Sequence, residues 1–208
     1  MQFSIFFFSG DESALGDDKY QLLIESAKFA DQHGFKAIWV PERHFNKFGG
    51  LFPNPAVVTA ALAVLTSHVR LRAGSVVLPL HHPARVVEEW AVVDNLSRGR
   101  VEISFAPGFH RNDFVLAPKN FVDRKTIMFR EIDTVQKLWR GDCLRALDGK
   151  GDEAEVRVFP KPLQPELPVW ITASGNPTTF VKAGEIGANV LTALLDLNIN
   201  QLAECVDL

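Results

Sequence analysis

Apolar and polar positions follow two rhythms along the chain, and the switches between them divide it into strands and helices. Residues 1–9 form a short, phenylalanine-rich run without a positive leader, which reads as a first buried strand and not as a signal peptide. Residues 19–33 place Tyr20, Leu23, Ile24, Ala27, Phe29 and Ala30 at helical spacing, and Gly34 stops that helix. Residues 35–40 return to an apolar strand. Asn54 as a cap and Pro55 at the first helical position open a helix over 55–67, which leads to a strand over 69–78. His82-Pro83 opens the next helix, through Trp90, Val93 and Leu96, and residues 101–106 follow as a strand. The series continues with a helix over 123–140, a strand over 169–173, a helix over 177–186, a strand over 188–192 and the start of a helix at 198–208.

Such a succession of strand–helix units requires a parallel sheet, either doubly wound or closed into a barrel. Ser9-Gly10-Asp11-Glu12, after the first strand, has no glycine-rich phosphate loop and carries two acids, which argues against a dinucleotide-binding sheet. Small or polar residues instead follow nearly every strand, at Ser9, Glu42, Gly74-Ser75, Pro107-Gly108, Ser174-Gly175 and Thr192. A ring of functional strand ends favours an α/β fold of the TIM-type (β/α)8 class, with about six βα units in a single domain over 1–208. A complete barrel takes roughly 250 residues, so a fragment or a natural truncation is expected. Residues 141–167, rich in Gly, Pro and charge, are expected to form a solvated insertion with 156–159 as a candidate short strand; a lid is the alternative.

Composition narrows the partners. With 208 residues, of which 47% are hydrophobic, the chain can fill a substantial core. A mean hydropathy near zero argues against a membrane protein. The net charge of −3, with no basic stripe, makes nucleic acid an unsuitable ligand. Cys143 and Cys205 stand in no metal or redox motif, so a reduced, cytoplasmic protein is expected.

The densest chemistry is in Trp39-Val40-Pro41-Glu42-Arg43-His44-Phe45, where an apolar strand ends at a proline and releases an acid, a guanidinium and an imidazole together. Ionisable groups sharing a strand mouth shift one another's pKa values, so Glu42, Arg43 and His44 are the catalytic candidates. Ser174-Gly175-Asn176-Pro177-Thr178-Thr179 joins a strand to a helix with free amides, hydroxyls and a helix dipole, which suits a phosphate; an ordinary helix cap is the competing reading. Arg72-Ala73-Gly74-Ser75 would let a flat ring lie against the backbone, or else marks a bulge. His81, His82 and His110 find no carboxylate at ligand spacing in the sequence, and no metal is expected.

Three segments together, Glu42-Arg43-His44-Phe45, Val76-Val77-Leu78-Pro79 with His82-Pro83, and Leu96-Ser97-Arg98-Gly99-Arg100, resemble the bacterial-luciferase-like flavin monooxygenases over almost the whole chain. The likeness is greatest to the subgroup encoded alongside polyketide and nonribosomal peptide synthases, through Pro41 to Phe45, Gln164 to Trp170 and Gly175 to Pro177. The resemblance implies a TIM barrel that holds reduced FMN at the C-terminal strand ends and uses oxygen on a small or carrier-tethered substrate. A separate flavin reductase would supply the electrons, and a homodimer is the candidate assembly. It implies cofactor contacts at Gly74, Ser75, Ala106, Gly108, Ala173, Ser174, Gly175, Asn176 and Thr192, with a cis peptide at Gly74–Ser75. It also brings in Asp113, after Gly108, as the acid that would orient His44.

The departures from the family matter equally. Luciferases carry Glu-His-His-Phe where this chain has Arg43, a permanent cation, in place of the first histidine, which leaves His44 to titrate. Ala106 and Pro107 stand where luciferases have a cysteine and an arginine, which removes a phosphate contact and argues against light emission. Two rival readings are a deazaflavin-dependent hydride-transfer enzyme and a non-catalytic barrel fragment that serves as a binding surface.

Overall fold

In the computed structural model, which describes residues 1–8, 10, 18–195 and 197–207, six parallel strands form one sheet in the order β1-β2-β3-β4-β7-β8. The elements run β1 (Ser4–Phe6), α1 (Gln21–Gln32), β2 (Ala37–Val40), α2 (Pro55–Leu65), β3 (Arg70–Val77), α3 (Pro83–Ser97), β4 (Val101–Ala106), α4 (Arg124–Arg140), β5 (Leu144–Leu147), β6 (Glu153–Val156), β7 (Val169–Thr172), α5 (Pro177–Glu185), β8 (Asn189–Leu191) and α6 (Ile199–Val206). Of the strand ends expected to be functional, Ser9 and the acids Asp11 and Glu12 lie outside the described residues.

The sheet is strongly curled, as a barrel wall requires. β2 and β7 are three strand spacings apart, about 14 Å along a flat sheet, yet the rings of Trp39 and Trp170 meet edge to face at 5.1 Å. Between them lies the Arg72 guanidinium, 4.8 and 4.6 Å from the two ring centroids. Glu102 binds this plug by accepting from Arg70 Nε and Arg72 Nε at 2.7 Å each and from Trp170 Nε1 at 2.8 Å. Alternate strand residues thus fill the concave interior. Their neighbours Ile38, Leu71, Ala73, Ile103, Phe105 and Ile171 face the helices and are fully buried.

Helix ends follow the sequence signals. Asn54 Oδ1 accepts the Val57 amide at 3.2 Å with Pro55 behind it, and His82 caps α3 through the Ala84 amide at 3.3 Å. α3 closes with Arg98 and Gly99 in the left-handed region, at φ 58° and 81°. That turn delivers Arg100 to the end of α2, where its guanidinium donates to Ser97 O, Thr66 Oγ1, Val69 O, Ala63 O and Thr66 O at 2.7–2.9 Å.

Residues 141–167 correct one expectation. The strand foreseen over 156–159 is not formed; Glu153–Val156 pairs antiparallel with Leu144–Leu147 as an exposed hairpin. This segment links the end of α4 to the start of β7, so it lies at the strands' N-terminal side, away from the candidate chemistry. The exposed hairpin is the arrangement a solvated surface excursion would have. Its tail is anchored: Asp94, fully buried at the end of α3, accepts from the amides of Leu163 and Gln164 and from Gln164 Nε2 at 2.8–2.9 Å.

Candidate active site

At the C-terminal strand ends, Pro41 stops β2 and Glu42 turns inward, 8% exposed. One of its oxygens accepts the Val77 amide at 2.8 Å, which ties the end of β2 to that of β3. The other contacts two imidazoles, His44 Nε2 at 2.7 Å and His81 Nε2 at 2.6 Å. Burial alone would raise the Glu42 pKa. The hydrogen bonds from both histidines and the Val77 amide, with the His81 charge, outweigh it and hold the carboxyl at about 2. Burial likewise disfavours charge on His81, but the Glu42 hydrogen bond and charge, with a smaller pull from Glu89, prevail and raise its pKa. The chain leaves this clamp through Phe45 at φ 50°, a left-handed conformation uncommon for an aromatic residue.

Arg43 and Asp113 occupy the next layer. The Arg43 guanidinium carbon lies 5.9 Å from the Phe109 ring centroid, and its Nε is buried without a hydrogen-bond partner among the described residues. His110 Nε2 is in the same condition; burial and then the Arg43 charge lower its pKa, against the field of Asp113. Asp113 is buried beyond β4, and burial, with a contribution from Glu42, raises its carboxyl above the ordinary range despite His110, His44 and Arg43. The expected bond from His44 to Asp113 is not made. Glu42 takes the imidazole instead, because it leaves the same strand end two residues earlier and is pinned in place by Val77.

The Gly74–Ser75 peptide bond is cis, and the β3–β4 register shifts between Gly74 and Val76, so the bulge and the cis bond coincide. A Cβ at Gly74 would stand 2.6 Å from the Phe6 ring and 3.0 Å from that of Trp39, so any larger residue would have to displace the Phe6 ring. Ser75 Oγ meets Thr172 Oγ1, which lies 2.8 Å from Ser104 Oγ, forming a hydroxyl cluster across β3, β4 and β7. Ser104, Thr172 and His81 were not among the sequence candidates; their signal was position alone, at inward-facing or post-strand sites. Ala106 ends β4. Gly108, at φ 75°, packs so closely that a Cβ would be 2.7 Å from Val77 Cγ1.

Farther round the sheet, the Ala173 amide bonds Leu191 O at 3.0 Å, which brings Ala173 and Ser174 alongside Thr192. Asn176 caps α5 by accepting the Thr178 amide at 3.1 Å, so the simpler cap reading is realised there. Gly175 adopts φ 90° with Leu197 filling the space of a Cβ, while Thr192 Oγ1 is buried without a partner among the described residues. An unpartnered hydroxyl on one strand end and a helix N-terminus after the neighbouring strand are donors of the kind an anionic phosphate accepts from, so the residues present are compatible with one. The rim is apolar: Phe6, Phe8, Phe45, Phe48 and Phe109 are all exposed by 40% or more, whereas Phe52 belongs to the core.

Comparison with known proteins accords with this arrangement. The luciferase-like monooxygenase family matches residues 1–207. The oxygenase component of flavin-dependent trigonelline monooxygenase from Acinetobacter baylyi is 34% identical over 208 residues, covering 95% of this chain and 55% of that protein. Monooxygenase RslO1 from Streptomyces bottropensis superposes with a TM-score of 0.87 at 24% identity, over 100% of this chain and 64% of that one. The oxygenating constituent of 3,6-diketocamphane monooxygenase from Pseudomonas putida, solved with FMN, gives 0.80 at 17% identity, over 100% and 62%. The chain spans about half the length of the curated relatives it matches. With a curled parallel sheet, ionisable groups gathered at its C-terminal edge and a family match over nearly every residue, the chain belongs to the luciferase-like monooxygenases.

Proposed function

We propose that this chain carries the flavin-binding part of an FMN-dependent monooxygenase that oxygenates a small or carrier-tethered organic substrate, with a separate reductase supplying reduced flavin. The observation that supports it best is the Glu42 clamp, which fixes His44 and His81 at the adjoining ends of β2 and β3. Reduced flavin, when bound, supplies the electrons that activate oxygen. The protein's part is positioning and proton control. Gly74 and Ser75 offer backbone on which a planar ring can rest, and Ser174, Gly175, Asn176 and Thr192 offer donors to its phosphate. With His44 Nε2 held by Glu42, the other ring nitrogen, Nδ1, is left to give or take a proton, and the Arg43 guanidinium, whose Nε is unpartnered, supplies positive charge for a developing anion or a substrate carboxylate. The exposed phenylalanines suit an apolar substrate body and limit water.

Several finer features belong to the same reading: a substrate drawn from polyketide or peptide synthases, the homodimer and the cytoplasmic setting. No described helix is long and apolar enough to cross a membrane.

Titration with oxidised and photoreduced FMN, followed by flavin fluorescence and then by oxygen uptake, tests the proposal. Saturable binding with oxygen consumption is expected. His44→Ala should retain FMN yet cut product formation by about a hundredfold. Binding of a deazaflavin without oxygen uptake would assign the site to hydride transfer, and no flavin binding at all would overturn the reading for this chain.

A further inference from the structure

The Glu42 clamp has the composition of a metal-ligand set. Glu42 Oε1, His44 Nε2 and His81 Nε2 all lie within 4.8 Å of one another, contributed by the loops after β2 and β3. Two imidazoles and one carboxylate are the donors that zinc and other late first-row divalent cations select. The sequence-based expectation of no metal rested on the lack of a carboxylate near the histidines. The fold supplies one from 39 residues away.

We propose that Glu42, His44 and His81 form a binding site for a late first-row divalent cation of the zinc class. Ligand bonds of about 2.0–2.2 Å from one centre place the donor atoms roughly 3.3–3.5 Å apart. The present contacts to Oε1 are 2.7 and 2.6 Å, so each ring has to withdraw from it by less than an ångström, while the two ring nitrogens, within 4.8 Å of each other, have at most about 1.5 Å to close.

The surroundings support that exchange. The Val77 amide fixes the second Glu42 oxygen and so aims the first at the two rings, the outer-shell arrangement that orients carboxylate ligands. His81 is itself held by its amide's bond to Leu78 O at 3.0 Å. Asp113 adds a second carboxylate within electrostatic reach of Glu42 and His44, and the Arg43 guanidinium leans on the Phe109 ring. His82 points elsewhere, to the Ala84 amide.

The site does not depend on flavin binding. An ion there would replace Glu42 as the partner of His44 Nε2 and draw electron density from the ring, so the metal acts as a reversible block on the proton role of that residue and not as a cofactor of the oxygenation.

The test uses the flavin-free chain. Co2+ is added and read by its visible absorption, and Zn2+ is added in competition with a chromogenic chelator. One equivalent of Co2+ should bind, with the intense bands of a four- or five-coordinate ion, and Zn2+ should displace it. His44→Ala and His81→Gln, each confirmed as folded by circular dichroism, should weaken binding by at least about tenfold, whereas His82→Ala should leave it unchanged. Absence of saturable binding of either ion, or binding that survives undiminished in both histidine variants, overturns the proposal.

Discussion

Glu42 concentrates what this site does in one carboxylate, and its titration can be read in the stability of the protein. Its pKa falls from an ordinary 4.5 to about 2, so its contribution to stability is complete above 4.5 and is lost as pH falls through the lower value. His81 shifts the opposite way, upward from 6.5, so its contribution is complete below 6.5 and is lost as pH rises through the raised value. The clamp therefore stabilises most between about pH 4.5 and 6.5. Glu42→Gln, which keeps the shape and removes the charge, should cost about 2–3 kcal/mol in that window and less on either side. Thermal unfolding of both proteins from pH 3 to 9 checks this, and a difference that is flat with pH would refute it. The Glu42, Arg43, His44 constellation was legible in the sequence because all three residues leave one strand end together. His81 was not, because its tie to Glu42 exists only once β2 and β3 lie side by side.

At the scale of elements, the alternation of apolar strands and helices made the order of the sheet and helices legible, since many boundaries carry a proline, asparagine or glycine, as at Asn54-Pro55, Pro83, Gly99, Gly141 and Asn176-Pro177. In 141–167 the strand was expected at 156–159 and its partner was missed, because both strands are four residues long and largely exposed, so no buried face marks them. Two of the segments that carried the family resemblance prove to be structural. Leu96 to Arg100 is a helix end that sends Arg100 into the carbonyls at the end of α2, and Gln164 plugs the start of β4 through Val101 O and Asp94. Arg100 is 8% exposed and donates five side-chain bonds, four of them to backbone carbonyls. A lysine has three donors and no fork, so Arg100→Lys should leave buried acceptors unpaired and cost about 2–4 kcal/mol. Urea denaturation should show a lower midpoint with an unchanged slope, and a loss below about 0.5 kcal/mol, the ordinary surface range, would rule out the capping role.

For the whole molecule, curvature decides what remains exposed. The sheet bends far enough for Trp39 and Trp170 to touch, but β1 pairs only with β2 and β8 only with β7 among the described residues. Each outer strand therefore presents a row of backbone donors and acceptors without a neighbouring strand, the configuration most prone to pairing with another chain. Apolar side chains flank both edges: Phe3, Leu22 and Phe29 beside β1, and Leu194, Leu195 and Ile199 beyond β8, each at least half exposed. Strand edges bordered by such surface favour association over a monomer. The chain should thus self-associate at concentrations of tens of micromolar, roughly the range where unpaired edges become adhesive. Light scattering coupled to size exclusion should show a mass that rises with loading. The double variant Phe3→Lys, Ile199→Glu should shift the distribution toward monomer, since charge beside an edge blocks strand addition. A monodisperse monomer of 23.1 kDa at every loading would show that the edges are protected, and would remove the basis for reading this chain as a surface that seeks a partner.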